Sequence, residues 1–326
     1  MTQRIRLYFV CAISILVLVI GAGSSISNAA PTNSDNPAWS SLPTLEQITT
    51  QLAKASSQTS LTSAEIAGLE GGGAFPDAEE NGTQKNCEPV PATPYSFAPC
   101  VYGDTASKKV IAVVGDSEAD MWIPTFDIYG KEFGFKIDRF VMEGCSPWKE
   151  DTRASIAGWS QCEVKWKAHC IKAINKLRPF AVVATGMVED NQSSEVVENP
   201  QIVAAYIDNY FAAIKQSKAK LFVLSNIPWD WSISTAPNVC VDVHNSDIAA
   251  CDPSIDPTMN AALKVVKGAG YATVVPVLPL FCSTESCPVV DGNTVLYVDS
   301  HHMSHSWATN IPRAFSQIFN PLLGIK

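Results

Sequence analysis

Three residue types that together perform acyl transfer lie far apart in this chain: a serine that ends an apolar run, and an aspartate three positions ahead of a histidine. Ser117 closes the stretch Val110-Ile111-Ala112-Val113-Val114-Gly115-Asp116-Ser117. Asp299 and His302 stand in Tyr297-Val298-Asp299-Ser300-His301-His302-Met303-Ser304. A serine hydroxyl is a weak nucleophile until an imidazole takes its proton, and the imidazole needs a carboxylate to fix its tautomer. One loop can hold Asp299 and His302 together. A strand-end position for Ser117 exposes its hydroxyl beside the first N–H groups of the following helix, donors that favour an oxyanion.

Neither signal is specific alone. Asp-x-x-His also describes a capped helix start with a solvent-facing imidazole, and Gly-Asp-Ser is a common tripeptide. Asp299, His301, His302 and His305 also form a set of metal-ligand types, with His301 and His305 at helical spacing. Exposed polar surface explains His301 and His305 as well, so no metal and no other cofactor is expected. His169 and His244 read as structural or exposed.

To bring Ser117 and His302 together, the intervening chain must build a scaffold with one functional rim. From Cys87 onward apolar runs alternate with amphipathic ones, the pattern of a parallel sheet with crossover helices. Strands are expected at 109–114, 136–142, 180–185, 220–224 and 272–277, and helices at 119–133, 161–176, 200–217, 257–268 and 304–319, the last capped by Ser304. Parallel strands point their carboxyl ends to one edge, where ligands bind in open α/β sheets. Ser117, Gly144 and the turn Thr185-Gly186-Met187 should therefore share that edge.

With 326 residues, 46% of them hydrophobic and 17% charged, the chain suffices for one substantial α/β domain with a tail. A formal net charge of -9 argues against capture of nucleic acid or anionic membrane by bulk electrostatics. Residues 1–29 read as a secretory signal: Arg4 and Arg6, the apolar run 7–20, and Ser27-Asn28-Ala29 as a small-residue cleavage site. An uncleaved anchor is the competing reading, although the run is shorter than the ~20 residues of a comfortable span. Residues 30–84, rich in Ala, Ser, Thr, Gly and Pro, read as a flexible linker or arm with short helices at 45–52 and 63–69, and residues 85–326 as the catalytic domain.

Export permits disulfides. Of the ten cysteines Cys11 leaves with the signal, and close spacing pairs Cys87 with Cys100, Cys145 with Cys162, Cys240 with Cys251, and Cys282 with Cys287. Cys170 is left over, in an apolar helical run that suits a small buried thiol. The absence of any Cys-x-x-Cys pair argues against zinc at these cysteines.

With these residues in view, 87–319 resembles the SGNH (GDSL-like) hydrolase superfamily, and more closely the SGNH domain that is fused to, or accompanies, membrane acyltransferases of the acyltransferase-3 type. Val113-Val114-Gly115-Asp116-Ser117 with Trp122 and Pro124 is similar to the family's first block, and Glu143-Gly144-Cys145-Ser146-Pro147 to its second. Leu280-Phe281-Cys282, Cys287-Pro288, Leu296-Tyr297 and the run from Asp299 to Ser304 are similar to its last. The resemblance implies a three-layer, flavodoxin-like α/β sandwich around a central parallel sheet. Ser117 is then the nucleophile, His302 the base and Asp299 its partner, with the N–H groups of Ser117 and Gly144 in the oxyanion hole. Two departures stand out. Glu118 replaces the histidine usual after Gly-Asp-Ser in this branch, and Val188 fills the slot of an asparagine in the third block, as often happens in the acyltransferase-linked branch.

The function expected is an exported serine-dependent transferase or esterase for O-acyl groups, acetyl foremost, on cell-envelope carbohydrate. Its partners are then an acylated carbohydrate and, for transfer, a separate membrane acyltransferase as acyl supplier. Substrate contacts are expected from Glu118, Trp122 and Trp229. The alternative is a catalytically silent carbohydrate-binding or scaffold protein on the same fold, which Glu118 and the missing asparagine motivate.

Overall fold

The computed structural model describes residues 38–69, 100–148, 166–187, 199–228, 237–253, 257–284 and 286–326. Met1–Asn36 and Pro37–Lys326 divide as two units, and every described residue belongs to the second. The expected signal segment thus lies outside the described residues. No helix among them is long and apolar enough to cross a membrane.

Its elements run α1 (Leu45–Ala55), α2 (Ser63–Ala67), β1 (Cys100–Gly103), β2 (Val110–Gly115), α3 (Ser117–Asp120), α4 (Ile123–Phe133), β3 (Lys136–Val141), α5 (Ala168–Leu177), β4 (Ala181–Ala184), α6 (Pro200–Ile214), β5 (Lys220–Leu224), α7 (Pro237–Val243), α8 (Pro257–Ala269), β6 (Thr273–Val275), β7 (Val290–Asp291), β8 (Thr294–Val295), α9 (His305–Asn310) and α10 (Pro312–Leu323). The main sheet has the order β1-β3-β2-β4-β5-β6. β2 to β6 are parallel throughout, in the doubly wound order of flavodoxin-like folds. The central parallel sheet is as expected, and one strand joins it that was not: β1 pairs antiparallel with β3 on the outer edge. Four residues with a half-exposed valine carry no strong strand signal, so only the pairing shows this strand.

β2 shows why the sandwich has three layers. All six of its residues are buried, as expected of a strand covered on both faces. Side chains alternate across a sheet: Ile111 and Val113 enter one apolar cluster with Trp122, Phe126, Phe315 and Phe319. Ala112 and Val114 enter the other, with Cys170, Ile174, Ile207 and Phe211.

Two long expected helices are each broken in two. Pro124 lies in the first turn of α4 and Pro312 in the first turn of α10. Proline lacks the N–H and crowds the carbonyl four residues back, so it starts a helix far better than it continues one. The breaks separate α3 from α4 and α9 from α10.

The arm expected at 30–84 is corrected over 38–69. α1 buries Ile48 and Leu52 completely in the same cluster as Trp122 and Phe315, and Thr44 closes its N-terminus in a capping box with Gln47. Polar contacts fix it further: Leu45 N donates to Gln317 Oε1, and Arg313 Nη1 donates to the carbonyls of Ser40 and Leu42. A low aromatic content concealed an apolar stripe of Leu45, Ile48, Leu52 and Ala55 at helical spacing. Two of the expected disulfides, Cys240–Cys251 and Cys282–Cys287, are formed. Cys100 and Cys145 are also disulfide-bonded, while Cys87 and Cys162 lie outside the described residues. Cys170 is a buried free thiol.

Candidate active site

Ser117 is presented by the tight passage from β2 into α3. A Cβ on Gly115 would overlap the Thr185 carbonyl oxygen and come within 2.6 Å of the Ala119 Cβ, so only glycine lets β2 and α3 approach this closely. Asp116 then caps α3, its Oδ1 accepting from Glu118 N at 2.9 Å. Its Oδ2 accepts from Met187 N at 2.8 Å, tying the ends of β2 and β4 together at the switch point of the sheet. Burial pushes the Asp116 carboxyl up to about 6, with the two backbone N–H bonds and His302 pulling the other way. This clasp was not recognised in the sequence; the Asp of Gly-Asp-Ser was the only available sign of it.

The opposite half comes from the loop between β8 and α9. Tyr297 and Met303 form an isolated antiparallel bridge, and Val298 N donates to the His302 carbonyl, so the five residues between Val298 and Ser304 fold back tightly. Asp299 Oδ1 accepts from His301 N and His302 N at 2.9 and 2.8 Å, and Asp299 Oδ2 lies 2.7 Å from His302 Nδ1. Ser304 anchors the far end as expected: its Oγ accepts from Trp307 N at the start of α9 and donates to the Val295 carbonyl. His302 Nε2 reaches Ser117 Oγ at 2.9 Å. Burial raises the Asp299 carboxyl, but the hydrogen bond and charge of His302, with help from His301, outweigh it and hold the group at about 2. An ionised carboxylate on Nδ1 assigns the ring proton to that nitrogen and turns the Nε2 lone pair toward the serine.

Glu118 is only 2% exposed. Its Oε1 lies 3.8 Å from His302 Nε2, buried without a hydrogen-bond partner. Burial, followed by repulsion from Asp116 and Asp299, drives its pKa well above the ordinary carboxylate value. The metal-ligand set considered from sequence is replaced by another: Glu118, His301 and His302 each offer a ligand atom, all within 4.8 Å of one another, whereas Asp299 is engaged with the His302 ring.

Gly144 follows β3 in a turn with φ +68°, a conformation suited to glycine, on the same rim as Ser117. The expected substrate contact at Trp122 is corrected. Its side chain, at the N-cap position of α4, is fully buried in the apolar layer and packs on Phe281 and Phe315. Trp229 lies outside the described residues, as does Val188.

The site therefore holds a serine hydroxyl, an imidazole and a carboxylate in one hydrogen-bonded chain, the arrangement needed to deprotonate the hydroxyl as it attacks a carbonyl. Residues 86–317 match the family model described as an SGNH domain fused to AT3 domains. Among solved structures, the lipopolysaccharide acetyltransferase periplasmic domain of Salmonella ser. Paratyphi A is similar at 14% identity and a TM-score of 0.55, over 76% of this chain and 96% of that one. A GDSL-like lipase from Bacteroides thetaiotaomicron aligns at 13% identity and a TM-score of 0.37, over 67% of this chain and 88% of that one. At 14% identity the likeness to the acetyltransferase domain is one of fold. Among curated proteins none matches the chain in sequence.

Proposed function

The chain belongs to the family of SGNH domains found fused to AT3 domains, and on that footing we propose that it is an exported serine enzyme that transfers or hydrolyses O-acyl groups, acetyl foremost, on cell-envelope carbohydrate. The observation that carries this reading is the chain Ser117 Oγ to His302 Nε2 and His302 Nδ1 to Asp299 Oδ2, at 2.9 and 2.7 Å.

In this mechanism His302 Nε2 takes the Ser117 proton while Oγ attacks the acyl carbonyl carbon. The N–H groups of Ser117 and Gly144 receive the oxyanion, and Asp299 stabilises the imidazolium. Collapse expels the alcohol, which takes its proton from His302 and leaves the acyl group on Ser117. A second hydroxyl, from sugar or water, then loses its proton to His302 and attacks the ester, restoring the serine. Transfer and hydrolysis use the same groups and differ only in the acceptor that reaches the acyl-enzyme. The carbohydrate acceptor and the envelope setting are supported by the family's association with AT3 domains and by the fold shared with a periplasmic lipopolysaccharide acetyltransferase domain. A membrane acyltransferase is the acyl supplier that this reading requires for transfer.

Exposure to a serine-directed fluorophosphonate tests the proposal. Labelling of the wild type that disappears in Ser117→Ala supports it. Absence of labelling under conditions that fully label a known serine esterase rejects it, in favour of a silent carbohydrate-binding protein on the same fold.

A further inference from the structure

We propose that Glu118, His301 and His302 form a binding site for a divalent cation of the zinc class, and that occupation of this site switches Ser117 off. The site is built on the same residues as the proposed function, and goes beyond it by adding an inhibitory ligand.

The geometry comes first. Two imidazoles and one carboxylate place a ligand atom each within 4.8 Å of the other two. The His301 and His302 rings lie side by side and tilted, centroids 3.8 Å apart and 43° between planes, so both rings border one space. Glu118 Oε1 enters that space from α3, 3.8 Å from His302 Nε2. This oxygen is the independent sign of a ligand: it belongs to a side chain that is 2% exposed, and it has no hydrogen-bond partner. A buried polar atom left unsatisfied is destabilising, and a cation bonded to it removes that cost.

The donor set selects the metal. Two nitrogens and one carboxylate oxygen with an open fourth position match zinc and its neighbours, whereas magnesium and calcium demand more oxygen donors. The outer contacts match too. Asp299 Oδ2 holds His302 Nδ1 at 2.7 Å and Ser300 Oγ lies 3.0 Å from His301 Nδ1, the kind of carboxylate or hydroxyl partner that orients a metal-binding histidine. Since Ser117 Oγ is 2.9 Å from His302 Nε2, a cation on that nitrogen takes the lone pair that would accept the serine proton. Metal and proton compete for one electron pair, so binding and catalysis exclude each other.

Calorimetric titration of Zn2+ into tag-free, chelator-treated protein reads the site without any need for activity. One saturable equivalent is expected in the wild type, with affinity at least about 10-fold weaker in Glu118→Gln and in His301→Gln, the scale seen when even an outer partner of a ligand is lost. Co2+ in the wild-type site should show the visible absorption of a tetrahedral centre, and Mg2+ should not bind. Fluorophosphonate labelling with and without Zn2+, each protein serving as its own reference, should slow in the wild type and change at least about 10-fold less in either variant. No one-to-one binding by the wild type, or unchanged Zn2+ affinity in either variant, overturns the site. Zn2+ binding with unchanged labelling overturns the switch. A serine never labelled even without metal, in a protein that still binds one Zn2+, defeats the proposed function and leaves the metal site standing.

Discussion

Ser117 Oγ and His302 Nε2 lie 2.9 Å apart, joined across 185 positions of sequence by the rim of one sheet. The contact is useful only if Nε2 carries a lone pair, and Asp299 decides that through Nδ1. Asp299→Asn would keep an oxygen for the N–H groups of His301 and His302 and turn its amide toward Nδ1. The amide donates, the ring proton moves to Nε2, and the imidazole becomes a donor to the serine. Turnover of an activated acetyl ester should fall about 10⁴-fold with KM little changed. Unfolding midpoints of the two proteins should stay close, and a variant that unfolds several degrees early would show that Asp299 acts on the loop fold instead.

Asp116 gives a stability prediction with a defined sign in pH. Both of its oxygens accept backbone N–H groups, from Glu118 and Met187. Asn can satisfy only one and sets N–H against N–H at the other, at a cost of about 1–3 kcal/mol. At roughly 2–4 °C per kcal/mol for a domain of this size, the melting midpoint should drop by several degrees. Burial holds the folded pKa at about 6 against an ordinary 3.8, so the folded state binds the proton more tightly than the unfolded chain. The contribution of this group is full below pH 3.8 and is lost as pH rises through about 6. The stability gap between wild type and Asp116→Asn should therefore be wider at pH 4 than at pH 7, measured by urea denaturation. A gap that widens with pH would contradict the burial argument.

Two glycines should respond oppositely to alanine. At Gly115 a Cβ overlaps the Thr185 carbonyl oxygen and crowds Ala119, forcing β2 and α3 apart at the serine. Overpacking of this kind costs about 1–3 kcal/mol, and the shift moves Ser117 relative to His302. Activity should fall more steeply than stability. Gly268, inside α8, has nothing within 4 Å of an added Cβ and no positive φ. There alanine should stabilise by about 0.4–1 kcal/mol, through lower entropy of the unfolded chain, with activity unchanged. Paired thermal melts and ester assays check both.

The legible parts of the sequence were those where one physical requirement dominates a short stretch. A strand buried on both faces must be apolar throughout, so Val110–Gly115 announced itself, and Lys220–Leu224 was placed to the residue. The Asp299–His302 pair was legible because both residues come from one loop. What stayed hidden depends on partners distant in sequence. Glu118 read as a substrate contact, since nothing in a tetrapeptide says that its carboxyl turns inward to His302. Trp122 read the same way, although it is fully buried against Phe281 and Phe315, side chains distant in sequence. β1 exists only as the antiparallel partner of β3.

Leu52 puts the largest of these corrections to the test. A loosely held arm would tolerate alanine there, with ΔΔG within about 0.5 kcal/mol, as at most surface positions. In the structure Leu52 is fully buried, in the cluster that contains Phe281 and Phe315, and α1 lies against α10, β7 and residues 278–280. Removing a buried leucine side chain costs about 2–5 kcal/mol, the loss of transfer energy being augmented by the cavity left behind. Leu52→Ala should therefore unfold at markedly lower denaturant with an unchanged m-value. The same cluster holds Tyr297 and Met303, which bracket the His302 loop, so the variant should also lose activity at temperatures below its melting transition. Wild-type stability in Leu52→Ala would return 38–69 to the status of a flexible linker or arm.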